Sequence, residues 1–138
     1  MRLVDVISFR KDLLFHGAVQ LGWFERNRPL SDKAASHFIF HGPDYHGVSV
    51  DDFAETGLQL LDTASFTKEI TARLIGKNTD EPFTIGIAGY GTGKSHLALT
   101  LATLYSRPDS EVAQVILDNL SLVDPDVGRY VADSMSSL

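Results

Sequence analysis

Residue by residue, the chain reads as a helix-rich α/β fold in which one strand of a parallel sheet feeds a glycine loop. Three features carry that expectation. Phe83-Thr84-Ile85-Gly86-Ile87-Ala88 is a short apolar run bounded by the turn cluster Asn78 to Pro82, the pattern of a buried strand. Gly89, Gly91 and Gly93 follow at once. Beyond them Leu97, Leu101 and Leu104 recur at i, i+4 and i+7, with Ala98, Ala102 and Tyr105 alongside, the stripe of a helix packed on a sheet.

The flanking elements follow from local signals. The apolar residues from Val4 to Phe15, and then Val19, Leu21, Trp23 and Phe24, fit neither period cleanly; a short helix is expected near 7–15, and 18–24 is left undecided. Glu25 to Ser31, with Pro29, reads as a turn into a second short helix or a loop. Phe38-Ile39-Phe40 is an apolar run that ends in the Gly- and Pro-rich segment 41–47. From Asp51 the pattern turns helical. Ser65 is a candidate cap for a helix in which Phe66, Ile70 and Leu74 recur four apart and which closes at Gly76. Arg107-Pro108-Asp109-Ser110 stops the helix after the glycine loop and starts another, Glu111 to about Leu122, on which Val112, Val115, Ile116 and Leu120 share a face. Asp124-Pro125 opens a last short helix. A sheet needs more than one strand, so the strand at 83–88 must pair with strands hidden in 17–48 or with chain beyond this sequence.

Composition sets the outer bounds. A chain of 138 residues, 43% hydrophobic and 22% charged with net charge -6, has the make-up of an ordinary globular domain. With no cysteine, disulfides, thiolate metal sites and thiol nucleophiles are excluded. No apolar stretch approaches the roughly 18 residues of a membrane span, and the N-terminus lacks a signal-peptide centre, so a cytoplasmic protein with no membrane partner is expected. Residues 108–138 hold six acids against Arg129 alone, so that end repels phosphate backbones and any DNA contact lies elsewhere. The six bases of residues 1–33, set against four acids, are only a mild excess, as a solvated face would show.

Ala88-Gly89-Tyr90-Gly91-Thr92-Gly93-Lys94-Ser95 is the strongest chemical signal: the pattern G-x-x-x-x-G-K-[ST] with Ala88 in place of the first glycine. The glycines let the backbone wrap until its N–H groups point at phosphate oxygens. Lys94, the catalytic candidate, supplies a cation to the β and γ phosphates, and the Ser95 hydroxyl is placed to ligate Mg²⁺. Tyr90 and Thr92 complete the loop, and His96 ends the candidate cofactor-binding set 89–96 in the helix's first turn. There it serves either the ligand or, as the blander alternative, packing and local hydrogen bonding. ATP and Mg²⁺ are the expected cofactors. No N-K-x-D guanine motif is present, since Lys77-Asn78-Thr79-Asp80 has the wrong order.

The run from Gly89 through Ser95 and on to His96-Leu97-Ala98 resembles the phosphate loops of DNA-linked bacterial ATPases of the AAA+ type. Helicase loaders and transposition helper ATPases carry a similar T-G-K-[ST]-H-L-A run. A longer set, Leu61-Asp62-Thr63 through Phe66, Phe83 to Tyr105 and Arg107-Pro108-Asp109, is similar to large ATPases of bacterial antiphage systems of the DNA phosphorothioation or BREX type. The resemblance implies an ATPase working in a DNA modification and restriction machine. Its partners would be the rest of a longer chain and other subunits of a defence complex. The organisation expected is an N-terminal helical and loop segment, 1–50, followed by the front part of a P-loop NTPase domain, 51–138.

Hydrolysis also needs an acidic residue at the end of a second strand. Val115-Ile116-Leu117-Asp118 is the one sequence match, but its helical surroundings point instead to Asp118 as a solvent-facing helix residue. Turnover by this chain is accordingly expected to be weak. His37, His41 and His46 have spacings that admit a metal site, local hydrogen bonding, or, for 41–46, part of an adenine or ribose pocket. Trp23 and Phe24 read as core or a docking surface rather than a base-stacking platform. The rival functions are a P-loop kinase acting on a small acceptor and a nucleotide-gated interaction module.

Overall fold

The computed structural model describes residues 18–42, 61–76 and 93–136. These are helical, 73% by residue, with no strand or sheet among them, so the expectation of an α/β fold is corrected to a helical assembly. The six helices are α1 (Trp23–Arg26), α2 (Arg28–Ser36), α3 (Thr63–Leu74), α4 (Lys94–Ser106), α5 (Glu111–Val123) and α6 (Pro125–Met135). The helix expected near 7–15, the strand at 83–88 and most of the glycine loop lie outside the described residues.

The sheet expectation rested on the apolar run 83–88, which lies outside the described residues, on the glycines after it and on the stripe Leu97, Leu101 and Leu104. In the structure Leu101 and Leu104 are buried with Thr100 beside them, but so are Leu99 and Thr103 on other faces of the same helix. A helix buried over more than half of its circumference needs neighbours on more than one side. Helices α2 and α5 cover α4 where a sheet was expected. The core joins Ala35, Phe38 and Phe40 to Ala64, Leu101, Leu104, Ile116, Leu120 and Val131. Phe38 and Phe40 point inward, with rings 4.9 Å apart edge to face, whereas Ile39 between them is exposed.

Each longer helix except α4 starts on a side chain that accepts a backbone N–H. Asn27 serves α2, with Pro29 in its first turn, so the Glu25 to Ser31 cluster holds the end of α1, a cap and the start of α2. Asp62 caps α3 by accepting from the Ser65 N–H at 2.8 Å, while the Ser65 hydroxyl donates to the same carboxylate at 2.7 Å. Ser65 is therefore the third helical residue rather than the cap. Ser110 and Asp124 cap α5 and α6, the latter with Pro125 at the first position. On α3 the fully buried stripe is Ala64, Thr67 and Thr71, with Phe66 and Ile70 beside it and Leu74 exposed. The threonines remain satisfied inside because each hydroxyl donates to the carbonyl four residues back, Thr67 to Thr63 at 2.7 Å and Thr71 to Thr67 at 2.8 Å. With its proton so used, Thr71 accepts from the Tyr105 hydroxyl at 2.7 Å, tying α3 to α4. Burial pushes the Tyr105 hydroxyl up to about 12, keeping it a neutral donor.

On α5 the buried residues are Ala113, Ile116, Leu117 and Leu120, and Val115 is exposed, so the true face is rotated from the expected one. Asp118 is exposed on α5 and accepts from Gln114 Nε2 at 2.8 Å; it does not end a strand. Trp23 is half-buried and Phe24 exposed, so α1 contributes no fully buried residue to the core. No described helix is long and apolar enough to cross a membrane.

Two contacts generate tests of this packing. Helices α5 and α6 meet at Gly128, where an added Cβ would lie 2.9 Å from Ser121 Cα, closer than backbone atoms tolerate. Helix propensity alone favours alanine there by about 1 kcal/mol. The clash reverses the sign: Gly128→Ala should lower stability by about 1–3 kcal/mol in urea titration. At the C-terminal end of α4, the Arg107 guanidinium donates to both carboxylate oxygens of Asp32 on α2, one bond at 2.9 Å. That hydrogen bonding, with smaller Coulombic help from Arg107 and Arg28, holds the Asp32 carboxyl below its usual range. A carboxyl depressed in the folded state stabilises fully above its unfolded value of about 3.9, and the contribution fades as pH falls through the folded value. Asp32→Asn should cost about 1 kcal/mol at pH 7 by chemical unfolding, and the gap to wild type should close below about pH 4.

Candidate phosphate-binding turn at the start of α4

Of the expected site, Gly93, Lys94, Ser95 and His96 are described; Gly89, Tyr90, Gly91 and Thr92 lie outside the described residues. Gly93 is the N-cap of α4 with φ 81° and ψ 14°, a left-handed conformation that glycine adopts without the penalty a Cβ would bring. Having no side chain, it offers the helix no capping acceptor. The first turn carries no acidic residue of its own either. Lys94 and Ser95 occupy the first two helical positions, and both are exposed. A cation, a hydroxyl and the helix's leading N–H groups thus share one turn, the set of donors an anionic phosphate ester recognises.

His96 turns the other way. Its Nε2 lies 2.5 Å from the carbonyl oxygen of Ala34 on α2, and its ring meets Phe38 edge to face at 5.0 Å. A carbonyl only accepts, so Nε2 carries the proton and donates. Burial pushes the imidazole below its ordinary value, outweighing the opposite pull of the Ala34 bond, and nearby His37 pushes it the same way. The ring is a neutral donor locked between helices. Of the two roles open to His96, local hydrogen bonding and packing is the one its position displays.

The other predicted residues are not gathered at this turn. His37 ends α2 and donates from Nδ1 to the Lys33 carbonyl at 2.6 Å. The backbone N–H of His41 donates to Thr63 Oγ1 at 2.7 Å, docking the 38–42 segment on the start of α3. His46 is outside the described residues, as is most of the proposed 41–46 pocket. Among the described residues no group of three or more His, Asp or Glu is placed to hold a metal ion. Two functional-looking contacts escaped the sequence, the His96 bond to Ala34 and the Asp32–Arg107 pair. Partners 62 and 75 residues apart leave no local signal. No family model, curated protein or solved structure matches the chain.

Proposed function

We propose that the chain binds Mg-ATP through residues 89–95, as the nucleotide-binding part of a DNA-linked ATPase. The observation that carries this is the passage from a glycine run through a left-handed Gly93 into an exposed Lys94-Ser95 pair opening a 13-residue helix. Lys94 would neutralise the β and γ phosphates, Ser95 would ligate Mg²⁺, and the dipole of α4 would favour the bound charge. The link to DNA modification and antiphage defence draws on the resemblance of Gly89 to Ala98 and its flanks. Hydrolysis needs a carboxylate that Asp118, solvent-facing on α5 and bonded to Gln114, is not placed to supply.

Calorimetric titration of Mg-ATP, with Mg-GTP as control, should show binding to the wild-type chain and a loss of at least tenfold in affinity for Lys94→Ala. Ser95→Ala should weaken ATP binding in the presence of Mg²⁺ and leave Mg²⁺-free binding nearly unchanged. Phosphate release by the chain alone should be negligible. Equal ATP affinity in Lys94→Ala and wild type would remove the assignment.

A further inference from the structure

A helix that receives a phosphate ester at its first turn must be held against the pull of the ligand, and α4 has a specific hold at that turn. His96 follows Lys94 and Ser95 directly, yet its side chain leaves the exposed face, donates through Nε2 to the Ala34 carbonyl and sets its ring edge to face with Phe38. Ala34 and Phe38 are buried. Ala34 lies within α2, and Phe38 follows its C-terminal end. That end is itself fixed from α5, where Asn119 Nδ2 donates to the Ser36 carbonyl at 3.0 Å. The chain of contacts therefore runs from the turn bearing Lys94 and Ser95 through His96 into α2 and on to α5.

We propose that His96 is a positioning residue that sets the orientation of Lys94 and Ser95 toward the nucleotide phosphates and couples nucleotide occupancy to the 34–38 segment. The inference rests on nucleotide binding at Lys94 and Ser95. Helical geometry makes the coupling direct: residues 94, 95 and 96 are each 100° apart around one turn, so fixing the azimuth of His96 fixes that of the two ahead of it. By reciprocity, if nucleotide binding tightens the hold of α2 on His96 by some factor, closing that hold tightens nucleotide binding by the same factor. The ring needs only its Nε2 proton and its apolar edge for this. An amide of similar reach can replace the first, whereas an alkyl side chain can replace only the second.

Calorimetric titration with Mg-ATP on the full chain separates these roles across wild type, Lys94→Ala, His96→Leu, His96→Gln and Val131→Ala, with thermal unfolding of each. His96→Leu should bind ATP about five- to tenfold more weakly, the scale of one lost hydrogen bond. His96→Gln should recover most of that affinity. Val131→Ala, a truncation in α6 away from the turn, should lose thermal stability and keep wild-type affinity. Unchanged affinity in His96→Leu, or an equal loss in Val131→Ala, overturns the role of His96 while leaving nucleotide binding intact. Wild-type ATP affinity in Lys94→Ala removes the underlying site instead. Should a His96 variant fail to fold, hydrogen exchange on the wild-type chain decides: Mg-ATP should slow exchange in residues 93–97 and also in 34–38. Protection confined to the first segment overturns the coupling.

Discussion

Helix α4 imposes the constraint on which the other elements depend. From Leu99 to Leu104 it buries residues over more than half of its circumference, including two threonines, so no single neighbour can cover it. Exposing any of those faces would return apolar surface to water at about 25 cal/mol per Å². The chain answers with helices on several sides. Ser31, Ala34 and Ala35 give α2 a face of small side chains that lets it approach α4, while α5 brings Ile116, Leu117 and Leu120 to the same core. Helix α3 reaches α4 through the Tyr105 hydroxyl and packs on α6, and α6 closes on α5 where Gly128 removes the Cβ that would hold the two apart.

Polar groups then fix how these surfaces register. Apolar contact is non-directional, whereas a two-point Asp32–Arg107 bond, a threonine back-bond or a tyrosine donor has one satisfactory geometry. Helix α4 is held to α2 at both ends, by His96 at its start and by Arg107 just after its close. Neither tie is a large source of stability by the ordinary measure of hydrogen bonds and partly exposed ion pairs. What they restrict is sliding and rotation of a helix whose burial alone would tolerate several azimuths.

How much was legible in the sequence depended on the range of the interaction. Starts and stops were readable: Asp124-Pro125, Ser110 and the closing Gly76 act on N–H and carbonyl groups within four residues. Faces were read less well. Threonine counts as polar in a periodicity count, so the Ala64, Thr67 and Thr71 stripe was passed over in favour of Phe66, Ile70 and Leu74. The hydroxyls' own helix had silenced their polarity. The parallel sheet was inferred from the 83–88 run, the glycine loop and a leucine stripe, but such a stripe says only that something apolar lies opposite. That Leu99, Thr100 and Thr103 are buried as well is visible only in the fold. Pairs such as Asp32 with Arg107, 75 residues apart, have no signature in a single sequence.

At the candidate site, local chemistry was legible and its support was not. Gly93, Lys94 and Ser95 carry the pattern of a phosphate-binding turn, since in that pattern backbone conformation, cation and hydroxyl are neighbours in sequence. His96 belongs to the same run of residues yet faces the protein, and only the fold reveals its partner. The contrast along α4 gives that arrangement its physical sense. Its first two residues are open to solvent, and between Leu99 and Leu104 all but Ala102 are buried. A ligand gripping the open end therefore pulls on an element whose other end cannot relax. On the proposed reading, a pull at the turn passes sideways to α2 through the imidazole of His96, the contact that joins the two helices there.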